Sequence, residues 1–191
     1  RARAMVTIRP AETRDLPALL DIYNHYVVHT PANFDVEPRT LEQRREWLAE
    51  FSLSGKYRCF VAEEGGRVVG YACSSRFKEK PAYATTIEVS VYCAHDCGGR
   101  GIGRKLYTAL FDALKGEDIH RAFAGITLPN AGSVVIHEAF GFRHVGTYTE
   151  VGRKFGRFWD VGLYLRDASH DRDDGGIARP RPSRAGFRRS R

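Results

Sequence analysis

Glu88 stands in the run Ile87-Glu88-Val89-Ser90-Val91-Tyr92, a carboxylate set among aliphatic residues. Taking a charge out of water is expensive unless the group is paired or put to use. Burial there raises a carboxylate's pKa toward the range in which it can take a proton from an amine or from water. A glutamate on the solvated face of a strand, or one paired with a lysine, is the ordinary alternative. Ten residues further on, the chain reads Gly98-Gly99-Arg100-Gly101-Ile102-Gly103, followed by Arg104 and Lys105. Glycines let a backbone turn tightly and approach a ligand without a Cβ in the way. The unsatisfied N–H groups of a helix start, with the helix dipole, attract an anion. The three basic side chains add to that field, and a pyrophosphate is the guest such a turn suits.

Two common phosphate loops fit poorly. A Walker A loop needs a lysine and then a hydroxyl after its second glycine, whereas Arg104-Lys105-Leu106 follows here. A dinucleotide fingerprint needs G-x-G-x-x-G. Counted from Gly99 its third glycine falls on Arg104, and counted from Gly101 it falls on Leu106. A glycine-rich turn that merely connects two elements stays open on the residues alone.

These groups need a frame to hold them. Val6–Arg9 reads as a short strand. Thr13 is the expected N-cap of a helix whose apolar face is Leu16, Leu19, Leu20, Tyr23 and Val27. Thr30–Pro38 reads as a loop, and Thr40–Phe51 as a second helix with Leu41, Leu48 and Phe51 toward the core. Tyr57–Glu63 and Val68–Ser74 flank Gly65-Gly66, a hairpin signal. Thr85–Cys93 alternates, with Ile87, Val89 and Val91 on one face and Glu88, Ser90 and Tyr92 on the other. A helix with Ile102, Leu106, Leu110 and Leu114 at i+4 spacing follows the glycine turn. Then come a strand over Arg121–Leu128, a helix over Ala131–Phe140, and strands over Phe142–Val151 and Phe158–Leu165 joined by Gly152–Arg157. This β-α-α-β-β-β-α-β-α-β-β order predicts an α/β (α+β) domain, a mixed sheet with helices on both faces, over residues 6–166. Residues 1–5 and 167–191 read as tails.

The chain of 191 residues carries a net charge of +7. Gly175–Arg191 alone holds six arginines and no acidic residue, which leaves 24 basic against 23 acidic residues elsewhere. The basicity therefore belongs to a solvated end, expected to be disordered, rather than to a nucleic-acid face. No apolar run is long enough to span a membrane. The first residues lack the apolar core of a secretory signal. Cys59, Cys73, Cys93 and Cys97 show neither C-x-x-C pairing nor zinc spacing, so no metal site is expected, and the first three read as small buried hydrophobes in a reducing cytoplasm.

The glycine turn also resembles the coenzyme A loop of the GNAT acetyltransferase superfamily, [QR]-x-x-G-x-[GA], through Gly101, Ile102 and Gly103. Gly98 holds the first motif position, where that loop has Gln or Arg. Asn130, the helix after it and Gly141-Phe142 match the later part of the superfamily pattern. More narrowly, the chain is similar to the phosphinothricin and methionine-sulfoximine acetyltransferases. The shared segments are Ile22-Tyr23-Asn24-His25-Tyr26, Asn33-Phe34, Ile87 to Tyr92, Leu128-Pro129-Asn130, Ser133, His137-Glu138 and Gly152 to Gly162.

The resemblance implies a mostly antiparallel GNAT sheet and transfer of acetyl from acetyl-CoA to an amine. It implies Glu88 as the base. It implies His137, four residues before Gly141-Phe142, as the acid, in a slot where many relatives have tyrosine. The backbone of Val91, Tyr92 and Cys93 is implied as the edge for the pantetheine arm. Gly98, Gly99, Arg100, Gly101, Ile102, Gly103 and Arg104 are the implied phosphate cradle, with Asn130 and Ser133 as further contacts. Acceptors of this narrower family carry a carboxylate, for which Lys78 is the expected cation. Phe34, Tyr83 and Trp159 are expected to shape the pocket beside Glu88. A homodimer is implied, with neither a membrane nor a nucleic acid as partner. The alternatives are another amine acceptor (a peptide N-terminus, a polyamine or an aminoglycoside) and nucleic-acid binding through the arginine tail.

Overall fold

The computed structural model describes residues 4–171. Seven strands form one sheet in the order β1-β2-β3-β4-β5-β7-β6. They are β1 (Val6–Pro10), β2 (Cys59–Glu64), β3 (Arg67–Arg76), β4 (Thr86–Cys93), β5 (Arg121–Leu128), β6 (Arg143–Lys154) and β7 (Arg157–Asp167). Among the described residues only the β4–β5 pairing is parallel. Four helices are described, α1 (Leu16–His29), α2 (Leu41–Leu48), α3 (Ile102–Ala113) and α4 (Ala131–Ala139). The element order is the one the sequence patterns predict, and the mixed sheet is the expected fold class.

The helices take opposite faces because the strands alternate. Tyr71 of β3 and Tyr92 of β4 point to one face. There Trp47 of α2 meets Tyr71 at 5.7 Å, and Tyr26 of α1 meets Tyr92 at 5.0 Å between ring centres. Gly70, one residue before Tyr71, opens to the other face. There α3 lays its apolar stripe so closely that a Cβ on Gly70 would stand 3.2 Å from Leu106 Cδ1. Leu106, Tyr107 and Leu110 are fully enclosed beneath it.

Several boundaries differ from the sequence reading. The entry to α1 is set by Asp15, not Thr13: its carboxylate accepts from the Glu12 N–H at 2.8 Å and pairs with Arg9. In α2, Leu41 is exposed and Arg44 is the buried residue. A charge among apolar positions hides its role when its cover is aromatic: the Arg44 guanidinium sits 3.4 Å over Trp47 and 4.5 Å over Tyr23. Strand β6 runs on to Lys154, so Gly152 lies within the ladder opposite Trp159 rather than in the connection. The fold also continues past Arg166. Asp167 belongs to β7, Ala168 is buried, and Asp171 pairs with Arg166 at 2.9 Å. The six arginines expected in a disordered tail lie outside the described residues.

Candidate active site

Strand β4 pairs with β5 only from Thr86–Glu88 to Arg121–Phe123. Beyond that point β5 keeps its partner β7 as far as Leu128–Asp160, while β4 follows β3. The sheet splits, and Glu88 is the last residue of β4 before the gap. A cavity of about 520 Å³ fills the opening, lined by Val89–Cys93, Gly125–Thr127, the turn Cys97–Arg104, Tyr26, Ala32 and one flank of α4.

Backbone direction follows from the bonds at the two ends of β4. The Thr85 carbonyl accepts from His120 and Arg121 N–H on the β5 side, and Ala94 N–H donates to Val69 on the β3 side. Alternation therefore turns the peptide groups of Val89, Val91 and Cys93 toward the gap. The Cys93 carbonyl there accepts from the Tyr26 hydroxyl at 2.6 Å. An open sheet edge inside a cavity is a template for an extended chain bearing amides. Tyr92, by contrast, sends its side chain away, stacked on Tyr71 at 5.4 Å, and burial pushes its hydroxyl pKa up.

The glycine turn closes one end. Gly101 caps α3 in the left-handed region at φ 72°, a conformation glycine adopts without strain. Gly103 is needed for space: a Cβ there would stand 2.8 Å from Ile136 Cδ1 of α4 and 3.7 Å from Val91 Cγ2. The first intrahelical bond of α3 is Lys105 N–H to the Gly101 carbonyl, so the amides of the preceding turn have no partner within the helix. Gly98 and Gly99 line the same end. The Arg100 side chain does not reach for the cavity. It pairs with the Glu64 carboxylate and donates to Cys97 Sγ at 3.3 Å, bracing the turn against β2. Arg104 is exposed at the rim. The backbone cradle thus has the shape and field for a pyrophosphate without a side chain at Gly98.

Glu88 is half-buried, and burial holds its carboxyl above the usual pKa range. His137 on α4 is buried, with both ring nitrogens engaged. Nδ1 lies 2.7 Å from the Ser133 carbonyl, and Nε2 lies 2.8 Å from the Tyr107 hydroxyl. A carbonyl only accepts, so Nδ1 carries the hydrogen, and Nε2 accepts from Tyr107. Burial lowers the pKa of the ring, so the neutral form dominates. Ser133 Oγ is 3.3 Å from Nδ1, and Asn130 caps α4 by accepting from Ser133 N–H at 3.1 Å.

The cavity therefore collects Val91, Tyr92, Cys93, Gly98 to Arg104, Asn130, Ser133 and His137, with Glu88 where the strands part. The remaining expected residues form two outer groups. Lys78 and Tyr83 sit on the β3–β4 connection, the ammonium 5.2 Å from the Tyr83 ring centre. Phe34 and Trp159 meet the β6–β7 hairpin, where Phe34 lies on Gly152, the ladder partner of Trp159. Tyr26, Tyr107 and Ser90 were not foreseen. Tyr26 and Ser90 lie within the shared segments but Tyr107 does not, and each joins the site through a contact 30 or more residues away or through strand alternation, which a short motif does not show.

The acetyltransferase (GNAT) domain family matches residues 8–163. The chain belongs to that family. It is an acetyl-CoA-dependent N-acetyltransferase. A phosphinothricin N-acetyltransferase of Streptomyces coelicolor is 56% identical over 85% of this chain and 96% of its own length. An L-methionine sulfoximine/L-methionine sulfone acetyltransferase of Salmonella typhimurium is 36% identical over 82% and 91%. A GNAT phosphinothricin acetyltransferase from Sinorhizobium meliloti, solved in complex with acetyl-CoA, superposes with a TM-score of 0.78 at 29% identity, over 85% of this chain and 88% of that one. Among the described residues no cluster of three or more His, Cys, Asp or Glu side chains could hold a metal ion, and no helix is long and apolar enough to cross a membrane.

Proposed function

We propose that this acetyltransferase moves acetyl from acetyl-CoA to the α-amine of a small amino acid of the phosphinothricin, methionine sulfoximine or methionine sulfone type, by direct attack in a ternary complex. The observation that carries this reading is the place of Glu88. Its carboxyl, with a pKa raised by burial, stands where β4 and β5 separate. Such a carboxylate takes the proton of an attacking amine, directly or through water. The Val91 N–H faces the gap and serves as donor to the oxyanion formed as the C–N bond is made. The C–S bond then breaks and leaves a thiolate.

We assign the protonation of that thiolate to His137. Its imidazolium is the minority form at neutral pH because burial lowers the pKa. A proton passed from Nδ1 of that imidazolium through Ser133 Oγ to the sulfur leaves the ring neutral with its hydrogen on Nε2. The proton Glu88 took from the amine returns to Nδ1 through solvent, and release of the Nε2 hydrogen restores the resting Nδ1–H form. The cradle of Gly98 to Arg104 and the Asn130 cap hold the cosubstrate. Lys78 receives the acceptor's carboxylate, while Phe34, Tyr83 and Trp159 wall its side chain.

A homodimer is proposed as the working form. Strand β6 is an edge of the sheet, and Val145, Tyr148 and Val151 on it are exposed. Sedimentation of the native protein and of a Tyr148→Glu variant tests this, the variant being monomeric. A reducing, cytoplasmic setting is proposed from Cys59 and Cys73, free thiols that face each other across β2 and β3.

Release of free CoA thiol from acetyl-CoA, followed across a panel of amines, tests the reaction. Turnover with phosphinothricin, methionine sulfoximine or methionine sulfone supports the reading. Turnover only with a peptide, polyamine or aminoglycoside keeps the enzyme but discards the acceptor. Salt-dependent binding of nucleic acid that survives loss of Gly175–Arg191 would instead favour the nucleic-acid-binding reading.

A further inference from the structure

We infer that Gly152 is a specificity-determining position, because its missing side chain is what lets the Phe34 ring lie where it walls the acceptor pocket. The inference rests on the proposed role of Phe34 in that pocket. A Cβ built on Gly152 would stand 2.1 Å from Phe34 Cε2, 2.5 Å from Cζ and 2.7 Å from Cδ2. No non-bonded carbon pair tolerates those separations, whose optimum is about 3.5–4.0 Å. The glycine is not there for its backbone. Gly156, four residues further on, has φ 72° and open space around it, whereas Gly152 lies outside the left-handed region and pairs in the β6–β7 ladder with Trp159. A glycine inside a strand weakens it, and close approach by another group is the compensating use.

The chain on both sides of Phe34 is held without help from its ring. Lys154 Nζ donates to the Asn33 carbonyl at 2.8 Å, and both residues are buried. On the other side Asp35 accepts from Tyr23 Oη at 2.5 Å and from Arg39 Nε at 2.7 Å and Nη2 at 2.8 Å. Phe34 itself is 38% exposed. A methyl group at Gly152 therefore swings the Phe34 ring and leaves the loop and the core in place. The Trp159 indole is tied by its Nε1–H to the Lys154 carbonyl at 2.9 Å, so the opposite wall does not follow. The pocket changes shape at one wall, and acceptor selectivity changes with it. Ala32, two residues before Phe34, lines the cavity assigned to acetyl-CoA, whereas neither Phe34 nor Gly152 is among its lining residues.

A double-variant cycle of Gly152→Ala and Phe34→Ala tests this, read as kcat/KM for each acceptor the amine panel identifies and as KM for acetyl-CoA. The expected result is a loss of about tenfold in acceptor kcat/KM for Gly152→Ala in the native background, the scale of a methylene misfit in a pocket. Its KM for acetyl-CoA is unchanged. In the Phe34→Ala background the same substitution has no effect, since the ring it displaces is gone. An equal loss in both backgrounds, or a loss shared by acetyl-CoA binding, overturns the inference. If Gly152→Ala alone does not fold, the double variant folds and repeats the kinetics of Phe34→Ala; a double variant that is also unfolded overturns it. Phe34→Ala with native kcat/KM on every accepted amine removes Phe34 from the pocket, and with it this role for Gly152. Activity confined to acceptors outside the proposed class instead discards the substrate assignment alone, because the cycle is then read with those acceptors.

Discussion

The Tyr107 hydroxyl donates to Nε2 of His137 across 2.8 Å, from the middle of α3 to the flank of α4. Both side chains are buried, their rings 5.3 Å apart and set edge to face. Burial holds the Tyr107 hydroxyl far above its usual pKa, so it stays protonated and keeps its hydrogen to give. With the Ser133 carbonyl on Nδ1, this bond fixes one tautomer of the imidazole. Tyr107→Phe keeps the ring packing and removes only the donor. We predict that kcat falls about tenfold while KM for acetyl-CoA stays, the loss expected of one net hydrogen bond at about 1 kcal/mol or slightly more. Two-bond proton–nitrogen NMR of the native protein should show His137 as the Nδ1–H form, and of the variant a mixture. A native spectrum with the hydrogen on Nε2 would remove the basis of this prediction.

Glu88→Gln keeps the shape of the side chain and removes its basicity. A loss of about 10²–10⁴-fold in kcat is the usual worth of a positioned acid or base. The pH profile is the sharper test. Burial raises the Glu88 pKa, so the carboxylate is lost on acidification earlier than an exposed glutamate would be. The acid limb of kcat/KM should therefore lie above pH 4.5, the ordinary glutamate value, and should vanish in the variant. Full activity in Glu88→Gln would assign the proton to another group.

Much of the frame was legible because its signals are local. The alternation of Ile87, Val89 and Val91, the glycines of the turn and the i+4 stripe of α3 each write one element into adjacent residues. The split between β4 and β5 is not local. It depends on where two strands whose paired residues lie 35 positions apart stop pairing, and no residue marks that point except Glu88 itself. Arg44 shows the same limit: its charge reads as surface, but three aromatic residues from α1, α2 and β3 enclose it. Gly152 reads as a turn residue because the reason for it, the Phe34 ring, lies 118 positions away.

Gly103 separates helix propensity from cosubstrate space. An exposed helix position would gain about 1 kcal/mol from replacing glycine with alanine. Here the first turn of α3 faces Ile136, Val91 and Cys93 across the cavity wall. Gly103→Val is predicted to raise the Kd for acetyl-CoA roughly tenfold or more, a cost of about 1.4 kcal/mol, with acceptor KM at saturating acetyl-CoA unchanged. Calorimetric titration with CoA measures it directly. Native affinity in this variant would place the pantetheine arm elsewhere.

Acid should unmask the charge cluster that starts α1. Asp15 is only 4% exposed. Burial alone pushes its pKa up, but hydrogen bonds from Arg9 and from the Glu12 N–H outweigh that and hold the carboxyl below its ordinary value of 3.8. A carboxylate whose folded pKa is depressed stabilises the fold above its unfolded pKa, and that stabilisation is lost as the pH falls through the folded value. Asp15→Asn keeps the size of the side chain but not its charge, and Arg9 retains Glu63 at 2.7 Å. The expected cost at pH 7 is about 2 kcal/mol, in the range of hydrogen bonds to a charged group. Denaturant unfolding of both proteins, repeated at falling pH, should show the two stabilities converging below the ordinary aspartate pKa, as the native protein loses what the variant never had. A constant gap down to acid pH would mean that the side chain acts at this helix start through its shape and not its charge.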